Sequence, residues 1–187
     1  MTKRTIPFLF FVAVFGMSLL SVPDISGTEA DAECEPSPMN EPTKNYEVYD
    51  GYFVRNTFKP EEGKDYAVGV LTSEDDFGKI FGIARVMWSR QKFIPEDFYR
   101  TGMILYFIEW GSTPWEYHVF LVEKSEKTAI VSLTRTGEPS ETALFAPSLI
   151  VGVDREEFEG IESVQFRIVK SPISSESPII FSADLKK

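Results

Sequence analysis

Between Asn45 and Lys170 the sequence is a succession of short apolar runs, rich in aromatic and β-branched residues and interrupted by Gly, Pro, Ser and Asp. This punctuation restricts the chain to a mainly β fold. Candidate strands cover Tyr46 to Phe58, Tyr66 to Leu71, Met103 to Trp110, Tyr117 to Glu123, Ala129 to Thr134, Ser148 to Val153 and Val164 to Val169. Lys124 to Thr128 is a polar loop of hairpin length between the fourth and fifth of these. A second hairpin is expected to join Leu149–Val153 to Val164–Ile168 through the acidic stretch Asp154–Gly160. In the last strand Val164, Phe166 and Ile168 alternate with Gln165 and Arg167, so one of its faces is wet.

One segment departs from the strand pattern. Thr72-Ser73 precede Glu74, Asp75 and Asp76, a hydroxyl cap followed by acids at the positive end of a helix dipole. Phe77, Ile80, Phe81 and Ala84 then share one helical face, with Gly82 as a terminator. A shorter turn is expected to start at Pro95, before Glu96 and Asp97. The expected fold is an antiparallel β-sandwich or strongly curved sheet with one packed α-helix over about residues 74–84.

The amino-terminal part sets the compartment. Lys3 and Arg4 precede an uncharged apolar run from Ile6 to Val22, which Pro23 and Asp24 end. These are the parts of a secretory signal peptide over residues 1–27, and an uncleaved membrane anchor is the alternative, because the run reaches the lower length limit for a spanning helix. Ser21, Gly27 and Ala32 each suit the last position before a cut. Residues 28–44 carry Glu29, Asp31, Glu33, Glu35 and Glu41 with Pro36, Pro38 and Pro42, and read as a solvated disordered tether. A single domain over 45–170 and a tail or edge strand over 171–187 complete the division. The expected location is secreted or periplasmic.

Composition excludes several chemistries. One cysteine, Cys34, closes no intrachain disulfide, and one histidine, His118, cannot build a two-imidazole metal site. A formal charge of -10 disfavours nucleic acid, whose phosphates need clustered Lys and Arg. Neither Glu74-Asp75-Asp76 nor Asp154–Glu159 has the ligand order of a calcium loop, so no metal and no cofactor is expected. No nucleophile, base and orienter set accompanies His118, and no catalytic residue is assigned.

The candidate binding residues are Trp110, Thr113, Trp115 and Tyr117, in a Gly- and Pro-containing connection where aromatic side chains offer large contact area at low entropy cost; the alternative is that the tryptophans are core. Trp88-Ser89-Arg90-Gln91-Lys92 places cations beside a further indole.

Tyr52-Phe53-Val54-Arg55-Asn56-Thr57, the segment Phe77 to Met87, Asp97-Phe98, Leu149 to Asp154 and Val164-Gln165-Phe166 stand in an order that resembles a family of small secreted bacterial proteins of unknown function. The resemblance covers most of residues 50–168 and lies in core spacing. More distantly, Met103 to Val119, with Gly111, Thr113 and Tyr117, is similar to the C-terminal domain of protease-complex-assisting lipoproteins, departing from it at Trp115-Glu116, where that pattern has a glycine pair. The distant likeness implies support of an extracytoplasmic protease, and neither family brings catalytic residues. The expected function is an exported, non-enzymatic binding or accessory module for a protein or peptide partner; the alternative is an extracytoplasmic hydrolase with an unrecognised site.

Overall fold

A computed structural model describes residues 44–84, 90–171 and 176–185. The expected signal peptide, the tether apart from Lys44, Cys34 and Trp88-Ser89 lie outside the described residues.

Ten strands and one α-helix make up the regular structure of the described residues, and the fold is β-sandwich-like. The first sheet has the order β1 (Tyr46–Tyr49), β8 (Ser148–Asp154), β5 (Gly102–Glu109), β3 (Tyr66–Leu71), and every neighbouring pair is antiparallel. The second has the order β10 (Ile179–Asp184), β9 (Ser163–Ile168), β7 (Thr128–Thr136), β6 (Glu116–Ser125). Here β7 and β9 run parallel, a departure from the all-antiparallel expectation. A small third sheet pairs β2 (Tyr52–Val54) with β4 (Phe81–Ile83), and α1 (Glu74–Ile80) runs directly into β4.

Strand β5 organises the layers, because it is buried on both faces from Gly102 to Ile108. Met103, Leu105 and Phe107 meet Val131, Leu133, Val164 and Phe166 of the second sheet in one core. Ile104, Tyr106 and Ile108 face the other way, against Phe77, Ile80 and Phe81, in a second core. Period-2 alternation thus feeds two cores from one strand, and its uninterrupted apolar run follows from burial on both sides.

The helix is shorter than its sequence pattern suggests. Ser73 caps it as expected, its Oγ accepting the Asp76 N–H at 3.2 Å, but it ends at Ile80, and Phe81 is extended. Gly82 is no helix terminator. It lies in β4 opposite Phe53, whose ring would stand 2.6 Å from a Cβ at that position, so the cross-strand aromatic occupies the space a side chain would need. Pro95 does open a turn, its carbonyl accepting the Phe98 N–H at 3.1 Å ahead of the 3-10 turn Phe98–Arg100.

The expected hairpin between Leu149–Val153 and Val164–Ile168 does not form. β8 is flanked on both edges by β1 and β5, so no edge remains for β9, which joins the second sheet between β7 and β10. The connection crosses between the sheets and leaves Phe158, fully buried, in the shared core. The other hairpin forms with a tighter loop: Ser125 pairs with Thr128, leaving Glu126 and Lys127 to turn the chain, with Glu126 at φ 54. The long Tyr46 to Phe58 strand is broken at Asp50-Gly51 into β1 and β2, and the tail contributes the edge strand β10.

Candidate functional site

The four residues singled out in the Trp110 to Tyr117 connection do not share a surface. Trp110 is half-buried against the second core and lies 6.1 Å from Phe58, ring centre to ring centre. Thr113 is buried. Tyr117 turns the opposite way, into the inter-sheet core, where it meets Phe107 edge-on at 5.5 Å. Trp115 is half-buried beneath the Arg135 guanidinium, whose carbon stands 4.1 Å from the ring centre. The connection bends at Ser112-Thr113 before β6 begins at Glu116, so Trp110 before the bend packs in one core and Tyr117 after it in the other.

His118 is exposed on β6, an edge strand of the second sheet, cross-strand from Thr134. Among the described residues no cluster of three or more His, Cys, Asp or Glu is placed to hold a metal ion, and no helix is long and apolar enough to cross a membrane.

A different place in the fold has the shape of a site. The layer formed by α1, β2, β4 and the segment Gln91 to Tyr99 borders an open-mouthed cavity of about 600 Å³. Small-molecule and side-chain sites are commonly concave, apolar and of this size, with a few polar groups that fix orientation. Its walls are mainly rings and aliphatic groups: Tyr52, Phe77, Phe81, Phe93, Ile94 and Tyr99. Tyr52 stands edge-on to Phe77 at 4.8 Å and to Phe93 at 5.7 Å, offset geometries that rings prefer. Its hydroxyl accepts the Ile94 N–H at 2.9 Å, which fixes the segment carrying Phe93. Gly51 permits this arrangement, since a Cβ there would stand 2.3 Å from the Phe93 ring.

The walls are tied together from behind by Arg155. Its Nη2 donates to the carbonyls of Thr72 at 2.8 Å, Tyr99 at 2.9 Å and Gly102 at 3.2 Å. One guanidinium therefore fastens the entry to α1 to the 3-10 turn, the two elements that supply Phe77 and Tyr99. Its Nε is buried with no hydrogen-bond partner among the described residues.

Polar groups gather at the rim. Glu74 and Glu96 line the cavity and also an adjoining depression of about 470 Å³, where Asp97 and Arg100 join them. Tyr99 belongs to both hollows, and its hydroxyl is buried with no hydrogen-bond partner among the described residues. Burial pushes the Tyr99 phenol up, and the charge of Glu74 pushes it the same way, so it stays protonated. Arg55 also lines the cavity, with its Nε donating to the Phe81 carbonyl at 2.9 Å.

Local spacing puts Phe77 and Phe81 on one helix face and Glu96 at a turn start, but no local pattern signals that Tyr52, Phe93 and Tyr99 converge on them. Aromatic residues read as core wherever they fall, and this cavity is assembled from three separate segments between Tyr52 and Tyr99.

No protein-family model, curated protein or solved structure matches this chain.

Proposed function

We propose that this chain is an exported, non-enzymatic binding or accessory module that seats an apolar side chain of a protein or peptide partner in the cavity between α1, β4 and the Gln91 to Tyr99 segment. The observation that carries this reading is the cavity itself, about 600 Å³ with aromatic walls and a charged rim. Export is supported by the basic start, the apolar run Ile6 to Val22 and the acidic, proline-containing stretch that follows.

The reading is tested by nuclear magnetic resonance titration with an acetylated, amidated pentapeptide carrying one central tryptophan. Saturable shifts at the ring resonances of Tyr52, Phe77, Phe93 and Tyr99 are expected. Shifts confined to the Trp110 to Tyr117 connection, or no saturable shift anywhere, contradict it.

A further inference from the structure

We infer that the cavity selects a cationic apolar segment, an aromatic or large aliphatic side chain flanked by lysine or arginine in an extended peptide. The inference rests on the binding reading above and adds the chemistry of the occupant.

Three observations converge on a cation. The first is the position of the carboxylates. Glu74 and Glu96 stand where the cavity opens into the adjoining depression, and Asp97 extends the acidic rim. The facing cations are Arg55, which commits its Nε to a backbone carbonyl, and Arg100, which lines the depression alone. Carboxylates therefore outnumber guanidinium groups among the described lining residues of the two hollows.

The second is the Tyr99 hydroxyl. Tyr99 lines both hollows, and its hydroxyl, closed off from solvent, has no partner among the described residues. A phenol oxygen keeps lone pairs free to accept a hydrogen bond, so a turn of the Tyr99 ring toward the rim would let it meet an ammonium or guanidinium N–H.

The third is the wall. Tyr52, Phe77, Phe93 and Tyr99 are neighbouring rings, and ring faces attract cations as well as apolar groups. The formal charge of -10 adds a long-range attraction for a basic partner. An anionic apolar ligand would meet the acidic rim, and a neutral one would leave it unused.

The test compares three pentapeptides with a central tryptophan flanked by lysines, serines or glutamates, measured by isothermal titration calorimetry against the intact protein at low and high salt. The lysine peptide is expected to bind the wild type at least about 5-fold more tightly than the serine peptide at low salt, with the margin shrinking in high salt. In the Glu74→Gln/Glu96→Gln double variant that ratio should fall towards one, with a thermal melt confirming that the variant is folded. Equal affinities, or tighter binding of the glutamate peptide, overturn the inference while leaving the cavity a binding site. A lysine preference that survives in the double variant also overturns it, because the preference then comes from the charge of the whole chain. Failure of all three peptides to bind overturns both this inference and the binding reading.

Discussion

The Arg135 guanidinium lies over the Trp115 ring, its carbon 4.1 Å from the ring centre, while its Nη1 donates to Glu109 Oε2. The ion pair is largely shielded, with side-chain exposures of 17% and 18%, so removing one partner strands the other charge at a greater cost than on the open surface. Tyr117 adds a longer contact to the same carboxylate at 3.4 Å. These contacts tie the Trp115 end of the connection to β5 and β7.

Replacing Arg135 with methionine uncovers the indole and strands Glu109. Chemical denaturation is expected to register a loss of about 2 kcal/mol, with tryptophan emission moving to longer wavelength. A change below about 0.5 kcal/mol would place the group among ordinary surface residues.

Arg155 is expected to be less tolerant still. Its three carbonyl acceptors all meet one nitrogen, Nη2, at the tip of the side chain, and the shorter lysine does not carry its ammonium to that point. Arg155→Lys should cost about 1.5 to 3 kcal/mol, the range for hydrogen bonds to a charged group. Faster amide exchange at α1 and at Phe98–Arg100, without matching change in β7, would locate the loss.

At Glu126 the opposite sign is expected. Its φ of 54 lies in the left-handed region that costs an L-residue about 1 to 2 kcal/mol, and glycine returns part of that as unfolded-chain entropy. Glu126→Gly should raise stability by about 0.5 kcal/mol, read as a higher denaturant midpoint at unchanged slope. A lower midpoint would mean that the turn is not under this constraint.

Alkaline pH should unfold the protein. Burial raises the phenol pKa of Tyr49, Tyr99, Tyr106 and Tyr117, and neighbouring carboxylates add to the effect at Tyr49 and Tyr117, through Glu47 and Glu109. In the unfolded chain these groups lose their protons near the ordinary value of 10.0, while in the folded chain they keep them. The stability they contribute is therefore complete below pH 10 and declines as pH rises above it. Tyrosinate absorbance should appear together with loss of the circular dichroism signal, whereas independent titration of all tyrosines near 10 with the fold intact would refute the burial.

The parts of the fold legible in the sequence are those governed by local rules. Tyr66–Leu71 is a strand over the span expected, and Ser73 is the cap that its hydroxyl and the following acids announce. Pairing is less legible. The sequence between Leu149 and Ile168 has the form of a hairpin, and only the demand of β8 for a strand on each edge sends β9 to the other sheet. Phe81 shows the same limit: i, i+3 and i+4 spacing places it with Phe77 and Ile80, and it does join their core, but as the first residue of a strand. The aromatic connection stood out because tryptophan is conspicuous, whereas the cavity is walled by rings that local pattern cannot tell from core.

The most direct test of the account uses Gly78. It lines the cavity from the exposed side of α1, and a Cβ there has nothing within 4 Å, so the backbone accepts a leucine whose bulk is added at the cavity wall. Replacing a helical glycine should also raise stability, by about 0.5 to 1 kcal/mol. The measurement is the affinity of the lysine-flanked tryptophan peptide for wild type and for Gly78→Leu, each accompanied by a melt. The account predicts a variant at least as stable as the wild type whose affinity is at least about 10-fold weaker. An equally stable variant that binds the peptide as well as the wild type would contradict it.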